Sequence, residues 1–184
     1  MRVIAGSAKG VRLGPVPAGV RPISDRAREG LFSSLGARVP GARVLDLFAG
    51  TGALGIEALS RGAERAVFVE RRGVAVRAVR ANLERTHLTE RAEVVTSDAV
   101  GFLSRPERAG SVPFDLVLAD PPYDAPSDQV DALLGGLASA WLAEGGAVAL
   151  TRRSRSSTPV IPVDWRVAKR LEYGDSAVLV LTEA

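Results

Sequence analysis

The chain has no cysteine and only one histidine, His87, and these two shortages exclude more than any motif includes. Without thiols there is no disulfide framework, no thiolate metal site and no cysteine nucleophile, and nothing asks for an oxidising compartment. One histidine among scattered carboxylates lacks the parts of a zinc centre or a Ser-His-Asp triad, so no metal is expected. Long apolar runs are missing as well: none approaches the roughly 20 residues that cross a bilayer, and the basic start has no apolar signal-peptide core. No membrane association is expected, and the expected location is cytoplasmic. Any chemistry has to come from carboxylates, backbone groups and a bound cofactor.

What is present is a chain of 184 residues, long enough for one domain that buries roughly 70% of its unfolded surface without staples. Its net charge of +3 is uneven: residues 1 to 43 hold eight Arg/Lys against two acids, and residues 44 to 184 sum to −3. A basic head suggests a polyanionic partner, with a solvated surface as the plainer alternative. Arginine outnumbers lysine 22 to 2, which suits phosphate forks and base stacking.

Residues 1 to 20 read as a hairpin-like basic arm outside the main fold, short extended pieces broken by Gly and Pro. Its Arg2, Lys9 and Arg12, with Arg21 just beyond, are candidate nucleic-acid contacts. Ser24 is a plausible N-cap for a helix running to about Leu35, with Ala27, Leu31, Phe32 and Leu35 on its apolar face. Strand and helix patterns then alternate: strands at 43–48, 65–70, 92–96, 114–119 and 145–151, helices at 53–60, 72–86, 99–104 and 127–142. That order predicts an α/β, doubly wound, mostly parallel sheet. Two further strand-like runs, 165–172 and 176–182, are separated only by Tyr173-Gly174-Asp175 and predict a terminal antiparallel hairpin. The Ser- and Pro-rich stretch from Thr151 to Pro162 reads as a polar loop available to substrate. Trp141 and Trp165 read as core residues, His87 as a surface or capping residue.

Gly50-Thr51-Gly52-Ala53-Leu54-Gly55 satisfies G-x-G-x-x-G, with Glu70 ending the next strand, where a ribose-binding acid belongs. A dinucleotide enzyme would fit that much. Asp46, however, stands just before the glycines, poorly placed beside a pyrophosphate but well placed for a cation, and a third acid, Asp98, follows the third strand. S-adenosylmethionine has no phosphate and offers an ammonium, a ribose diol and an adenine amine to such a set. The assignments are Asp46 with the backbone of Phe48, Ala49, Gly50, Thr51 and Gly52 at the methionine part, Glu70 and the adjacent Arg71 at the ribose, and Asp98 with Ala99 at the adenine.

Asp120-Pro121-Pro122-Tyr123 follows the fourth strand. The prolines fix φ and hold residues 120 and 121 extended, so that the Asp120 carboxylate and Pro121 carbonyl can converge on one point. Two acceptors so aimed suit an amine with two hydrogens. An exocyclic base amine is a poor nucleophile because its lone pair is delocalised; bonding both N–H groups favours pyramidalisation. Tyr123 would stack on the base, worth about 1–3 kcal/mol, and Pro122 would border it. A paired base is out of reach, so the target must be flipped or unpaired.

The cofactor loop, Glu70, Asp98 and Asp120-Pro-Pro-Tyr123 together resemble the class I (Rossmann-like) S-adenosylmethionine-dependent methyltransferases. The opening Met1-Arg-Val-Ile-Ala-Gly-Ser-Ala-Lys-Gly10 and Arg21-Pro-Ile-Ser-Asp-Arg-Ala-Arg-Glu-Gly-Leu-Phe32 are similar to one branch, the bacterial small-subunit (16S) rRNA guanine-N2 methyltransferase family. The resemblance covers essentially the whole chain. It implies a seven-stranded sheet with the hairpin at one edge, a 1–20 arm on a 21–184 methyltransferase domain, and methylation of a guanine N2 in 16S rRNA of assembled or assembling small subunits, by a monomer. It also implies that residues 21 to 32 lid the site, with Arg26 and Arg28 touching RNA or cofactor. Phe48 stands where many class I enzymes have glycine, but this branch commonly carries a bulky residue there. The rival readings are an adenine-N6 nucleic-acid methyltransferase, for which the chain leaves no recognition domain, a protein-glutamine methyltransferase, which favours Asn where Asp120 stands, and a non-catalytic RNA-binding assembly factor.

Overall fold

Alternating apolar runs and helical faces resolve, in the computed structural model, into one sheet covered on both faces; the structure describes residues 1–18, 23–105, 113–122 and 124–184. The strands are β1 (Arg43–Leu47), β2 (Arg65–Glu70), β3 (Ala92–Thr96), β4 (Phe114–Ala119), β5 (Leu142–Arg153), β6 (Trp165–Tyr173) and β7 (Ser176–Glu183). They lie in the order β3-β2-β1-β4-β5-β7-β6, parallel except for β7, which runs antiparallel to β5 and β6. The helices are α1 (Asp25–Leu35), α2 (Ala53–Ser60), α3 (Gly73–Thr86), α4 (Ala99–Leu103) and α5 (Ser127–Ala140). The strand order reverses between β1 and β4, the switch point outside whose carboxyl ends such sheets bind ligands.

Period-2 alternation sorts the strand residues between two core layers. Val44, Phe68, Leu116, Leu118, Val178 and Val180 face α1, α2 and α3, whereas Leu45, Leu47, Val117, Leu150, Leu179 and Leu181 face α4 and α5. Trp141 anchors the second layer, fully buried, its indole N–H donating to the Leu103 carbonyl at 3.1 Å. Trp165 is buried there too, and His87 is an exposed C-cap of α3 with left-handed backbone. Ser24 caps α1, its hydroxyl accepting the Ala27 N–H at 3.1 Å.

Helix α2 is buried along all eight residues, Glu57 and Ser60 included. Polar groups taken out of water must be paired, and the partner here is the arm. Glu57 accepts the backbone N–H groups of Ile4 (2.8 Å) and Ala5 (3.0 Å), and Ser60 Oγ donates to the Ala5 carbonyl (2.6 Å) while accepting the Ala8 N–H (3.0 Å). Arg2 and Arg12 form the antiparallel bridge of the expected hairpin, but Val3, Ala8 and Leu13 are buried in the first core layer. The arm is therefore packed into the fold rather than standing outside it. Periodicity in the arm could not show this, because the groups it satisfies belong to a helix 50 residues away.

Two other expectations change. β5 runs from Leu142 to Arg153, longer than 145–151, because its first residue pairs with Phe114 across an irregularity in β4 and its last two pair with Ala177 and Ser176 of β7. Arg28, expected to touch RNA or cofactor, is wholly buried. Its guanidinium donates to the Arg2 carbonyl and to Asp25 (3.0 Å), and Nε lies 3.7 Å from Glu57 without a hydrogen bond. Burial lowers the Arg28 pKa from its ordinary value, Glu57 and Asp25 opposing the shift.

Gly6 has φ of +85°, and a Cβ there would fall 1.8 Å from the Ser60 carbonyl oxygen. Gly6→Ala is expected to unseat the arm, leaving Glu57 and Ser60 short of partners, at a cost of about 2–4 kcal/mol. The measurement is the thermal midpoint together with amide exchange at residues 3 to 13; an unchanged midpoint with protected amides would show that the close approach is not required.

Candidate active site

At the β1/β4 switch point a cleft of about 570 Å³ opens. It is lined by Asp46, Phe48, Ala49, Gly50 and Thr51 after β1, Glu70 and Arg71 after β2, Asp98 and Ala99 after β3, and Asp120, Pro121 and Pro122 after β4. Four separate loops named from the sequence thus converge. Gly52 is not on the lining but caps the start of α2 with φ of +79°, and Tyr123 and Arg21 lie outside the described residues. The lining also includes residues that periodicity did not mark: Ile23 before α1, Arg72, Ser97, Asp124, Gln129 in the first turn of α5, Thr151 and Ser176.

Asp46 occupies a strand position whose alternate neighbour, Val44, is core, so its carboxylate points at α2 and is 1% exposed. It accepts the Gly55 N–H at 2.9 Å. Gly55 is the third glycine of the motif, and a Cβ there would meet the Phe68 ring at 2.3 Å and Asp46 at 3.0 Å; the helix approaches the strands this closely because nothing is attached. Among the described residues no arginine or lysine pairs with Asp46. Burial pushes its carboxyl from 3.8 up to about 8, opposed by the Gly55 hydrogen bond and reinforced by Asp120 and Glu70.

Glu70 is fixed by two backbone donors, Gly50 N–H (3.0 Å) to Oε2 and Arg72 N–H (2.9 Å) to Oε1. A carboxylate has about four acceptor sites, so capacity remains for a diol. Asp98 is exposed and caps α4 through the Gly101 N–H at 2.7 Å. Phe48 has φ of +62°, a left-handed conformation that favours glycine, and its aromatic ring is half-buried. Thr51 is held from behind, its carbonyl accepting the Asn82 Nδ2 donor at 2.9 Å, while Asn82 Oδ1 accepts the Gly14 N–H at 2.7 Å. Asn82, buried on α3, thereby ties the arm to the cofactor loop.

β1 and β4 pair in register up to Leu47↔Ala119, so Asp120 emerges beside Phe48, with its N–H 3.5 Å from the Leu47 carbonyl. The lining carries five carboxylates, Asp46, Glu70, Asp98, Asp120 and Asp124, against Arg71 and Arg72. Such an acidic lining suits a cationic ligand better than a pyrophosphate, which weighs against the dinucleotide alternative.

The residues assigned to substrate divide. Arg2, Lys9 and Arg26 edge a second, smaller cleft of about 290 Å³ together with Asp25 and Glu29. Arg12 is exposed, and Pro122 borders the main cleft. Arg28 is removed from any direct contact because the arm and α1 bury it.

A 3-2-1-4-5-7-6 sheet with an acidic cofactor cleft beside an Asp-Pro-Pro loop defines a class I methyltransferase, a class whose methyl donor is S-adenosylmethionine. Residues 1–182 match the model of the family described as "Conserved hypothetical protein 95", and the chain belongs to that family. It is 34% identical over 180 residues to ribosomal RNA small subunit methyltransferase D of Escherichia coli (strain K12), covering 96% of this chain and 87% of that one. The protein of the same name from Haemophilus influenzae is 33% identical over 178 residues, 95% and 89% of the two chains. Among solved structures, Escherichia coli yhhF superposes with a TM-score of 0.87 at 33% identity, covering 100% and 97% of the two chains. A hypothetical protein of Thermus thermophilus gives 0.84 at 36% identity, covering 100% and 99%. Among the described residues no group of three or more His, Cys, Asp or Glu could hold a metal ion, and no helix is long and apolar enough to cross a membrane.

The Asp46 shift has a definite sign. Its pKa is higher folded than unfolded, so the ligand-free protein is favoured with Asp46 protonated and loses stability as pH rises from about 4 towards 8. A cation bound beside it reverses the preference, and binding releases a proton. Affinity for S-adenosylmethionine is therefore expected to climb, by up to about tenfold per pH unit, between pH 6 and 8, and to turn over as the ligand's own amine, with an ordinary pKa of about 7.7–8.0, loses its charge. Asp46→Asn should abolish the climb and raise the midpoint of the ligand-free protein at pH 8; titration calorimetry in buffers of different ionisation enthalpy distinguishes the two proteins, and parallel profiles would refute the assignment.

Proposed function

We propose that this protein transfers a methyl group from S-adenosylmethionine to the exocyclic N2 amine of a guanine in 16S rRNA, acting in the cytoplasm, as a monomer, on assembled or assembling small ribosomal subunits. The observation that carries the reading is the meeting, at one strand edge, of a cation-seeking cleft with the Asp120-Pro121-Pro122 acceptors. The relatives that match along most of this chain are named as small-subunit rRNA methyltransferases, and the basic head supplies the polyanion-facing side. Nothing in the site favours adenine N6, glutamine or an idle cofactor pocket.

When bound, S-adenosylmethionine supplies an electrophilic sulfonium methyl. Asp46 holds the ammonium, with the backbone of Phe48 to Gly52 around the methionine part; Glu70 takes the ribose hydroxyls beside Arg71, and Asp98 with Ala99 the adenine. On the substrate side, the Asp120 carboxylate and Pro121 carbonyl accept the two N–H groups of the guanine amine and expose its lone pair, and Asp120 is placed to accept the proton that the amine sheds. Pro122 and Tyr123 border and stack on the flipped base. Arg2, Lys9, Arg12, Arg21 and Arg26 hold RNA phosphates, and Arg28 supports them indirectly by fixing the Arg2 backbone to α1. Holding both reactants aligned supplies on the order of 7–11 kcal/mol of the barrier, so no strong base is required.

The test is methyl transfer from labelled S-adenosylmethionine to unmodified small subunits, with free rRNA and DNA alongside. N2-methylguanosine from subunits is expected; methyladenine, methylated protein or no product would overturn the reading. Asp120→Ala should cut turnover by at least about 10²-fold, the scale of losing one aligned donor or acceptor at a reacting centre, while affinities for cofactor and RNA stay within about twofold. Substantial residual turnover would remove Asp120 from its role.

A further inference from the structure

The average over residues 44 to 184 conceals a second basic concentration. Residues 151 to 170 carry six Arg/Lys, namely Arg152, Arg153, Arg155, Arg166, Lys169 and Arg170, against one acid, Asp164; their net +5 exceeds the +3 of the whole chain. The fold brings part of this charge, the turn of Arg152 to Arg155 at the end of β5, to the rim of the main cleft; Arg166, opposite Thr182, lies at the other end of the sheet. Thr151 and Ser176 line the cleft, and Arg153 stands directly opposite Ser176 in the β5/β7 ladder. Residues opposite one another in an antiparallel pair, and residues two apart on one strand, project to the same face. Thr151, Arg153 and Ser176 therefore share a face, with the Arg153 backbone about 7 Å beyond that of Thr151.

The segment is held, not loose. Arg170 on β6 donates to the Ser154 carbonyl at 2.8 Å, and Arg152 donates to Ser156 at 3.4 Å, bracing the turn on which Arg155 is exposed. Further along, Ser157 and Ser127 exchange a hydrogen bond of 3.3 Å and the Val160 N–H donates to Asp131 at 2.8 Å. Both partners belong to α5, which follows the amine-binding loop. The turn of Arg152 to Arg155 is thus fixed at the carboxyl end of β5, while the arm docks on α1, α2 and α3, and α1 in turn packs on β6.

We infer that the turn carrying Arg153 and Arg155 is a second RNA-binding surface, which grips backbone phosphates where the nucleic-acid chain leaves the cleft over the β5/β7 rim. The inference rests on the reading of the substrate as RNA. A base flipped into the cleft leaves chain running away in two directions, and a basic turn fixed on the rim holds one of them. Phosphate is the matching chemistry because the exposed groups are guanidinium forks.

The test substitutes Arg153 and Arg155 together by Gln, both exposed, and measures binding of a labelled RNA hairpin with guanine in its loop over a range of salt, plus methylation of unmodified small subunits. The expected result is a log K against log salt slope smaller by about 1.4, at roughly 0.7 per lost single-strand phosphate contact, a raised KM for subunits, unchanged kcat and unchanged S-adenosylmethionine affinity. The double Lys variant should restore most of the slope. Wild-type slope and affinity in the Gln variant would overturn the surface while leaving the methyltransferase reading intact. Unchanged hairpin binding with a raised KM on subunits alone would place a ribosomal protein there instead and overturn the RNA assignment. Wild-type protein that binds no RNA and methylates no subunit would overturn both.

Discussion

A short helix buried on every side sets the terms for the rest of this molecule. Helix α2 spends its front end on the cofactor loop, where Gly55 sits close enough for its N–H to hold the buried Asp46, and its rear on Glu57 and Ser60, which have no water to turn to. Burying a carboxylate costs several kcal/mol unless it is compensated. Compensation arrives from the N-terminal arm, through the Ile4 and Ala5 amides, and from Arg61 at 2.7 Å. The arm thus covers a polar requirement as well as an apolar one. What reads locally as an appendage is part of the wall behind the active site.

The same helix explains the cleft's electrostatics. Placing a carboxyl where the strand pattern calls for an aliphatic residue is unfavourable in the ligand-free protein, and Asp120 and Glu70 make it more so. Such frustration is tolerated at sites that bind. The arrangement selects a ligand with a positive charge, and it does so before any specific contact is considered.

How much of this could be read from residues alone depended on distance along the chain. β2, β3 and β4 match their expected bounds because each is a compact apolar run closed by a charged or turn-forming residue, Glu70, Ser97 or Asp120. The acids at the strand ends were legible because topology carries every parallel strand to the same edge. Arg28 lies on what reads as the polar side of α1, and only the arm, far away in sequence terms, covers that side. Asn82 and Glu57 are polar residues interrupting apolar helical faces, a local signal whose partner is again the arm. The basic run from Arg152 to Arg170 is hidden in the net −3 of residues 44 to 184.

Asn82 is a bridge with one hydrogen bond on each bank, the arm at Gly14 and the cofactor loop at Thr51. Where one buried side chain serves both, the arm cannot lift away without stranding a polar group beside the cofactor loop, and the loop cannot shift without loosening the anchor of the arm.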